Sequence, residues 1–75
     1  MKEGYLVRGG SRPDIRYDDG TYYGGLHCGN VFEALIQNEW RTVRIEASLS
    51  KGRWYLIDPE RHEVFVELHW MAVRK

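Results

Sequence analysis

The sequence predicts a mainly β fold: a small single-domain barrel or strongly curled antiparallel sheet of five to seven short strands, SH3-like in size, with room for a short helix. Three observations predict it. Clusters of Gly, Asp, Asn, Ser and Pro recur about every ten residues, the segments between them alternate in polarity, and those segments are rich in β-branched and aromatic residues. The chain has 75 residues. At that size one domain, 1–75, sits near the lower limit of independent folding and buries only about 60% of its unfolded surface. A curled or closed sheet suits it, because free strand edges invite pairing with other chains.

The elements follow in order. Tyr5 to Arg8 reads as a strand, and Gly9-Gly10-Ser11-Arg12-Pro13 as a loop. Asp14 to Tyr17 and Thr21-Tyr22-Tyr23 flank Asp18-Asp19-Gly20, a hairpin signal because Gly adopts positive φ freely and Asp tolerates it. Gly24-Gly25 marks a bulge or tight bend. Val31 to Gln37 fits two patterns. Phe32, Ala34 and Ile36 alternate as in a strand, while Asn30 with Glu33 and the spacing of Phe32, Ile36 and Trp40 suit a helix. The strand is favoured because Asn38-Glu39 can turn into Trp40 to Ala47, where Arg41, Val43, Ile45 and Ala47 alternate against Trp40, Thr42, Arg44 and Glu46. Ser50-Lys51-Gly52 is the next turn, and Arg53 to Asp58 is a β-rich run stopped by Pro59. Val64 to Val73 reads as an interrupted strand, although Val64, Leu68, Met71 and Ala72 would also line a short helix.

Composition narrows the function classes. Eleven basic and eleven acidic residues cancel and interleave along the chain. A binder driven by electrostatics toward nucleic acid or a membrane surface needs a sustained positive surface, which this order of charges does not supply. A folded patch of Arg8, Arg12, Arg16, Arg41, Arg44 and Arg53 is the one basic arrangement that the linear order leaves open. Three Trp, five Tyr and two Phe supply apolar area for a thin core, so most rings are expected inside. One cysteine cannot form an internal disulfide, and residues 1 to 8 hold no apolar run of signal-peptide length. No segment reaches the roughly 20 apolar residues of a membrane helix. The expected setting is the cytoplasm, with no membrane partner.

The run Leu26-His27-Cys28-Gly29-Asn30-Val31-Phe32-Glu33 looks reactive, because the only thiol stands beside a histidine. On a strand the two would point to opposite faces, so they would not form a nucleophile and base. Cys28 is expected to pack as a small apolar side chain, and His27 to lie on the other face. His27, Cys28, His62 and His69 lack the paired spacings of a zinc site. Glu33, Glu46, Asp58 and Glu67 show no reason to pair as acid and base. Gly9-Gly10 and Gly24-Gly25 lack phosphate-loop spacing. The chain is thus expected to have no catalytic, cofactor-binding or metal-ligating residues, and no cofactor.

Leu26-His27-Cys28-Gly29-Asn30, then Phe32-Glu33, Leu35-Ile36, Trp40, Thr42-x-Arg44-Ile45-Glu46, Trp54-Tyr55-Leu56 and Val73-Arg74 resemble the pattern of a family of short bacterial proteins of unknown function. In that pattern the first run is closer to Leu-His-Cys-Gly-Asp. The resemblance spans most of the chain from Gly4 onward. It implies a small β domain akin to accessory proteins of bacterial chromosomes and mobile elements, without an established activity, cofactor or ligand. Asn30 stands where the pattern has an acid, so no role for that acid carries over.

Two functions fit these readings. The first is a non-enzymatic protein-interaction module, or accessory domain of a bacterial protein system, offering an edge strand or aromatic groove to a protein partner; its expected surface comprises His27, Trp40, Arg44, Trp54 and Tyr55. The second is a nucleic-acid-binding accessory barrel in which Arg41, Arg44 and Arg53 work with neighbouring rings that stack bases.

Overall fold

A computed structural model describes all 75 residues, with seven strands and no helix: β1 Glu3–Gly9, β2 Arg12–Tyr17, β3 Val31–Ile36, β4 Glu39–Ser48, β5 Arg53–Asp58, β6 Glu63–Phe65 and β7 Ala72–Arg74. All pairings are antiparallel, and one sheet runs in the order β2-β1-β7-β3-β4-β5-β6. Its end strands do not pair with each other, so the expected curled sheet is present and the barrel is not. The physical reason lies in the two ends. The outer edge of β2 is taken by the chain that follows it, with Tyr23 N–H donating to Ile15 O at 3.0 Å and Leu26 N–H to Pro13 O at 2.8 Å. The other end strand, β6, is only three residues long. Being an edge strand, β2 also tolerates Pro13, which has no N–H to give to a ladder.

One face of the curled sheet encloses the core. Phe32, Ala34 and Ile36 of β3, Val43 and Ile45 of β4, Leu56 of β5 and Val73 of β7 meet Leu6, Ile15 and Tyr17 from the first hairpin. Leu26, fully buried, reaches in from the loop after β2. Each such large apolar side chain contributes about 1.5–3 kcal/mol. The β1–β2 pair closes tightly at Gly4, where a Cβ would fall 2.3 Å from the Arg16 carbonyl oxygen.

The β3–β4 hairpin settles the ambiguity of residues 31 to 40 in favour of strands and moves the turn by one residue. Ile36 pairs with Glu39, so the loop is Gln37-Asn38 rather than Asn38-Glu39. Both residues have positive φ, 52° and 64°, as a type I′ turn requires, and that turn matches the right-handed twist of the strands. In the Asp18-Asp19-Gly20 turn only Gly20 has positive φ, so it is not of this type. Its return arm shrinks to a single bridge, Arg16 with Tyr22.

Two further expectations are corrected. His27 and Cys28 are on no strand; the run is a turn in which Asn30 Oδ1 accepts the His27 N–H at 2.7 Å and Asn30 N–H donates to His27 O at 3.0 Å. The turn is tacked to β4 by Gly29 N–H on Ile45 O, 2.8 Å, and it throws Cys28 into solvent, so the thiol does not pack in the core. Asn30 uses its side chain as an acceptor, a task an aspartate at that position would also perform. Residues 64 to 73, read as one interrupted strand, divide into β6 and β7 around a turn at Leu68–Met71, and no helix forms. With no helix in the chain, none is long and apolar enough to cross a membrane.

Left-handed backbone costs an L-residue about 1–2 kcal/mol, most at Gln37. Replacing the turn by Asn-Gly (Gln37→Asn with Asn38→Gly) is expected to stabilise the fold by about 1 kcal/mol. Urea unfolding checks this: the midpoint rises at unchanged slope.

Candidate functional site

The β1–β2 hairpin turns through Gly10-Ser11, with Gly10 at φ 56° in the first position, where a type II′ turn needs it. Its tip faces the start of β5 and the segment Val66 to His69, and between them lies an open cleft of about 420 Å³. Trp54 and Leu68 supply apolar wall above the buried Leu6, while Arg8, Arg12 and Arg53 stand around the cleft. The only acidic residue lining it is Glu67. A smaller groove of about 250 Å³ lies alongside, lined by Lys51, Tyr55 and Val64, and it shares Arg53 and Val66 with the first.

The charges of the cleft stand out against the rest of the surface. Arg41, Arg44, Arg61 and Arg74 all have a carboxylate within salt-bridge distance; Arg8, Arg12, Arg16 and Arg53 have none. Three of these four unpaired arginines line the cleft. Arg12 is held in place from behind. Its stem passes 3.1 Å from where a Cβ on Gly25 would stand, and its guanidinium nitrogen lies 2.7 and 2.9 Å from the two ring nitrogens of His27. The loop beneath is pinned by Asp14, whose Oδ1 accepts the N–H groups of Ile15, Gly24 and Gly25 at 2.8, 2.9 and 2.8 Å.

The surface expected from the sequence is divided among several places. Trp54 is half-buried, packs on the core and lines the cleft. His27 is exposed and reaches the site only through Arg12. Tyr55 lines the neighbouring groove. Trp40 is removed from the cleft and half-buried, with the Arg74 guanidinium 4.3 Å above its ring and bonded to Glu33. Arg44 is also elsewhere, its Nε on Glu46 Oε2 at 2.7 Å. Of the six arginines of the expected patch, Arg8, Arg12 and Arg53 meet at the cleft, Arg41 and Arg44 are taken by carboxylates, and Arg16 lies outside the cleft. Glu67 and His69 as lining residues had no signal in the sequence, because a loop brings them there.

Arg41 is buried. It projects inward from β4 with Val43 and Ile45, where a guanidinium must find partners or lose its hydration uncompensated. Its Nε donates to Asp58 Oδ2 at 2.9 Å, its other arm bonds Glu63, and its planar group lies 5.6 Å from the Phe65 ring centre. Asp58 Oδ1 accepts the N–H groups of Glu60 and Arg61 at 3.0 and 3.2 Å. Burial opposes ionisation of Asp58, but the Arg61 N–H, the Arg41 guanidinium and the Glu60 N–H outweigh it and hold the carboxyl below its ordinary value. Two other displaced groups lie outside the cleft. Burial, opposed by Lys2, pushes the Tyr17 hydroxyl up. The hydroxyl and N–H of Thr21, with Lys2, hold Asp19 down to about 2. His27, Cys28, His62 and His69 do not converge with one another or with carboxylates into a metal-holding cluster.

Fold and site define a small all-β domain whose open antiparallel sheet carries an arginine-lined cleft. The chain belongs to the family described as a domain of unknown function, DUF5348, which it matches over residues 4–75. It is similar to a protein from Ruminococcus gnavus whose crystal structure was determined by structural genomics, at 36% identity and a TM-score of 0.78, over 99% of this chain and 100% of that one. No curated protein matches the chain.

Asp58→Asn keeps an acceptor for the Glu60 and Arg61 N–H groups and removes the charge facing Arg41. At neutral pH it is expected to cost about 3 kcal/mol, the scale of breaking a buried pair. A carboxyl depressed in the folded state stabilises the fold above its unfolded value of 3.8 and loses that contribution as pH falls through the folded value. Chemical unfolding across pH checks both points: the gap between wild type and variant narrows below pH 3.8.

Proposed function

We propose that this domain is a non-enzymatic protein-interaction module, an accessory domain of a bacterial protein system, whose cleft beside the β1–β2 hairpin receives an acidic segment of a protein partner. The observation that carries this reading is the convergence of Arg8, Arg12 and Arg53, all without carboxylate partners, on one open cleft. Arg41, Arg44, Arg61 and Arg74 are each neutralised by a neighbouring carboxylate, and Arg16 stands unpaired away from the cleft; the three arginines that meet at the cleft can take their complementary charge from a ligand. Such complementarity favours encounter and selects partners. The apolar wall of Trp54 and Leu68 gives a bound segment a surface to desolvate, which charge alone would not supply.

A protein ligand is favoured over nucleic acid by the state of the rings and of the basic residues. Base stacking needs open aromatic faces beside a basic track. The Trp40 ring is covered by Arg74, Arg41 is buried in its own ion pair, and the exposed rings Tyr5, Tyr22, Tyr23 and Trp70 do not line the cleft, which leaves Trp54 as its one aromatic wall.

Calorimetric titration with an acidic peptide of alternating Glu and Val, run beside oligo-dT, tests the reading. The peptide is expected to bind and to weaken as salt rises. Reversing charge at two cleft positions, Arg8→Glu with Arg53→Glu, is expected to weaken it about tenfold or more. Arg44→Glu, outside the cleft, leaves binding unchanged. A peptide that gives no heat at low salt, or oligo-dT binding in its place, would falsify the proposal.

A further inference from the structure

The cleft is bordered by strand edges whose hydrogen-bonding groups are unused. Ile45 exchanges bonds with Gly29 and Asn30, so its N–H and C=O face away from β5. Alternation along β4 therefore turns Arg44, Glu46 and Ser48 toward β5, where they meet Ile57, Tyr55 and Arg53. The intervening residues of β5, Trp54, Leu56 and Asp58, face the other way. Leu56 and Asp58 meet Phe65 and Glu63 of β6, but that ladder ends there and Trp54 has no strand opposite it. No loop hydrogen bond takes its N–H or C=O. The same logic holds across the cleft on β1. Leu6 bonds Met71 and Trp70 on the β7 side, so Arg8, two residues on, turns its N–H and C=O to that side, beyond the end of β7, where no backbone bond takes them. Arg8 and Trp54 both line the cleft.

We propose that the cleft takes its ligand by strand addition: an extended, alternately acidic and apolar segment of another protein pairs with β5 at Trp54. This rests on reading the cleft as a protein-binding site. Edge addition draws affinity from main-chain bonds and specificity from places for alternate side chains, and both are present. A residue opposite Trp54 exchanges two bonds with it and points its side chain to the same face, into the cleft against Trp54 and Leu68; an apolar residue belongs there. Its neighbours point to the opposite face, into the groove that holds Lys51 and Arg53. Carboxylates belong there. The opposite end of the sheet offers no such place, because β2 is covered by its own chain.

The test uses the ¹⁵N-labelled full chain and three peptides: acetyl-Glu-Val-Glu-Val-Glu-Val-Glu-amide, the same peptide N-methylated on every Val, and the same peptide N-methylated on the three Glu that follow a Val. Val amides face β5 in the proposed pairing and Glu amides face away. The unmodified and Glu-methylated peptides are expected to bind, with shift and slowed exchange of the Trp54 amide. The Val-methylated peptide is expected to bind about tenfold more weakly or worse, the scale of a lost main-chain bond. Equal binding by the two methylated peptides overturns strand addition and leaves the cleft as a protein site. Failure of the unmodified peptide to bind overturns both readings.

Discussion

The guanidinium of Arg41 holds both ends of the β5–β6 turn at once, Asp58 before it and Glu63 after it, and Asp58 in turn caps the N–H groups of Glu60 and Arg61 inside it. The rest of the sheet's outer end depends on this interaction. An arginine on the inner face of a thin domain is unfavourable until it is paired and hydrogen-bonded, so the turn has to bring carboxylates to it. Once Asp58 and Glu63 are set opposite each other, β6 starts at Glu63, runs three residues and stops. The short strand leaves the first half of β5 without a strand on the side away from β4 and opens the cleft beside Trp54.

The two ends of the sheet are handled differently. At β2 the chain folds back and occupies its own edge, with Asp14 gathering the glycine N–H groups of the returning loop. At β6 nothing returns. The loop from Val66 to Met71 crosses toward β1, where Trp70 takes positive φ, 68°, so that its N–H can reach Leu6 O at 2.7 Å. A bulky residue in that region is strained, and the closing hydrogen bonds of β1 with Trp70 and Met71 hold it there. The free edge of β5, with Arg53, thus faces Arg8 and Arg12 of the β1–β2 hairpin across the cleft.

Much of this was legible one residue at a time. The β5 limits follow from the Ser50-Lys51-Gly52 turn and Pro59, and the series Phe32, Ala34, Ile36 and Arg41, Val43, Ile45 from period-two alternation, which a half-buried strand imposes. Arg41 and Asp58 were not paired by the sequence reading, although each ends up on the inward series of its strand, Arg41 with Val43 and Ile45 and Asp58 with Leu56. The Gln37-Asn38 turn was displaced by one residue because Gln is not a residue that announces positive φ. The Leu26-to-Asn30 turn was hidden for a related reason: its closure depends on Asn30 reaching the His27 N–H and on Gly29 meeting Ile45 across the fold, and neither partner is marked locally.

The candidate surface was legible only in part, since being aromatic or basic does not say which face or which partner a side chain will have. Trp54 and Tyr55, adjacent on one strand, are sent to two different grooves, and Trp40 is covered by an arginine 34 residues further on. By itself, the sequence determined the β class, the single small domain and most of the inward-facing residues, because alternation and turn chemistry act over a few neighbouring residues. Only the tertiary structure decided which arginines are neutralised and which are not, and that Trp54 lies on an open edge. Those outcomes depend on contacts between residues far apart in the chain, and on where a three-residue strand happens to end.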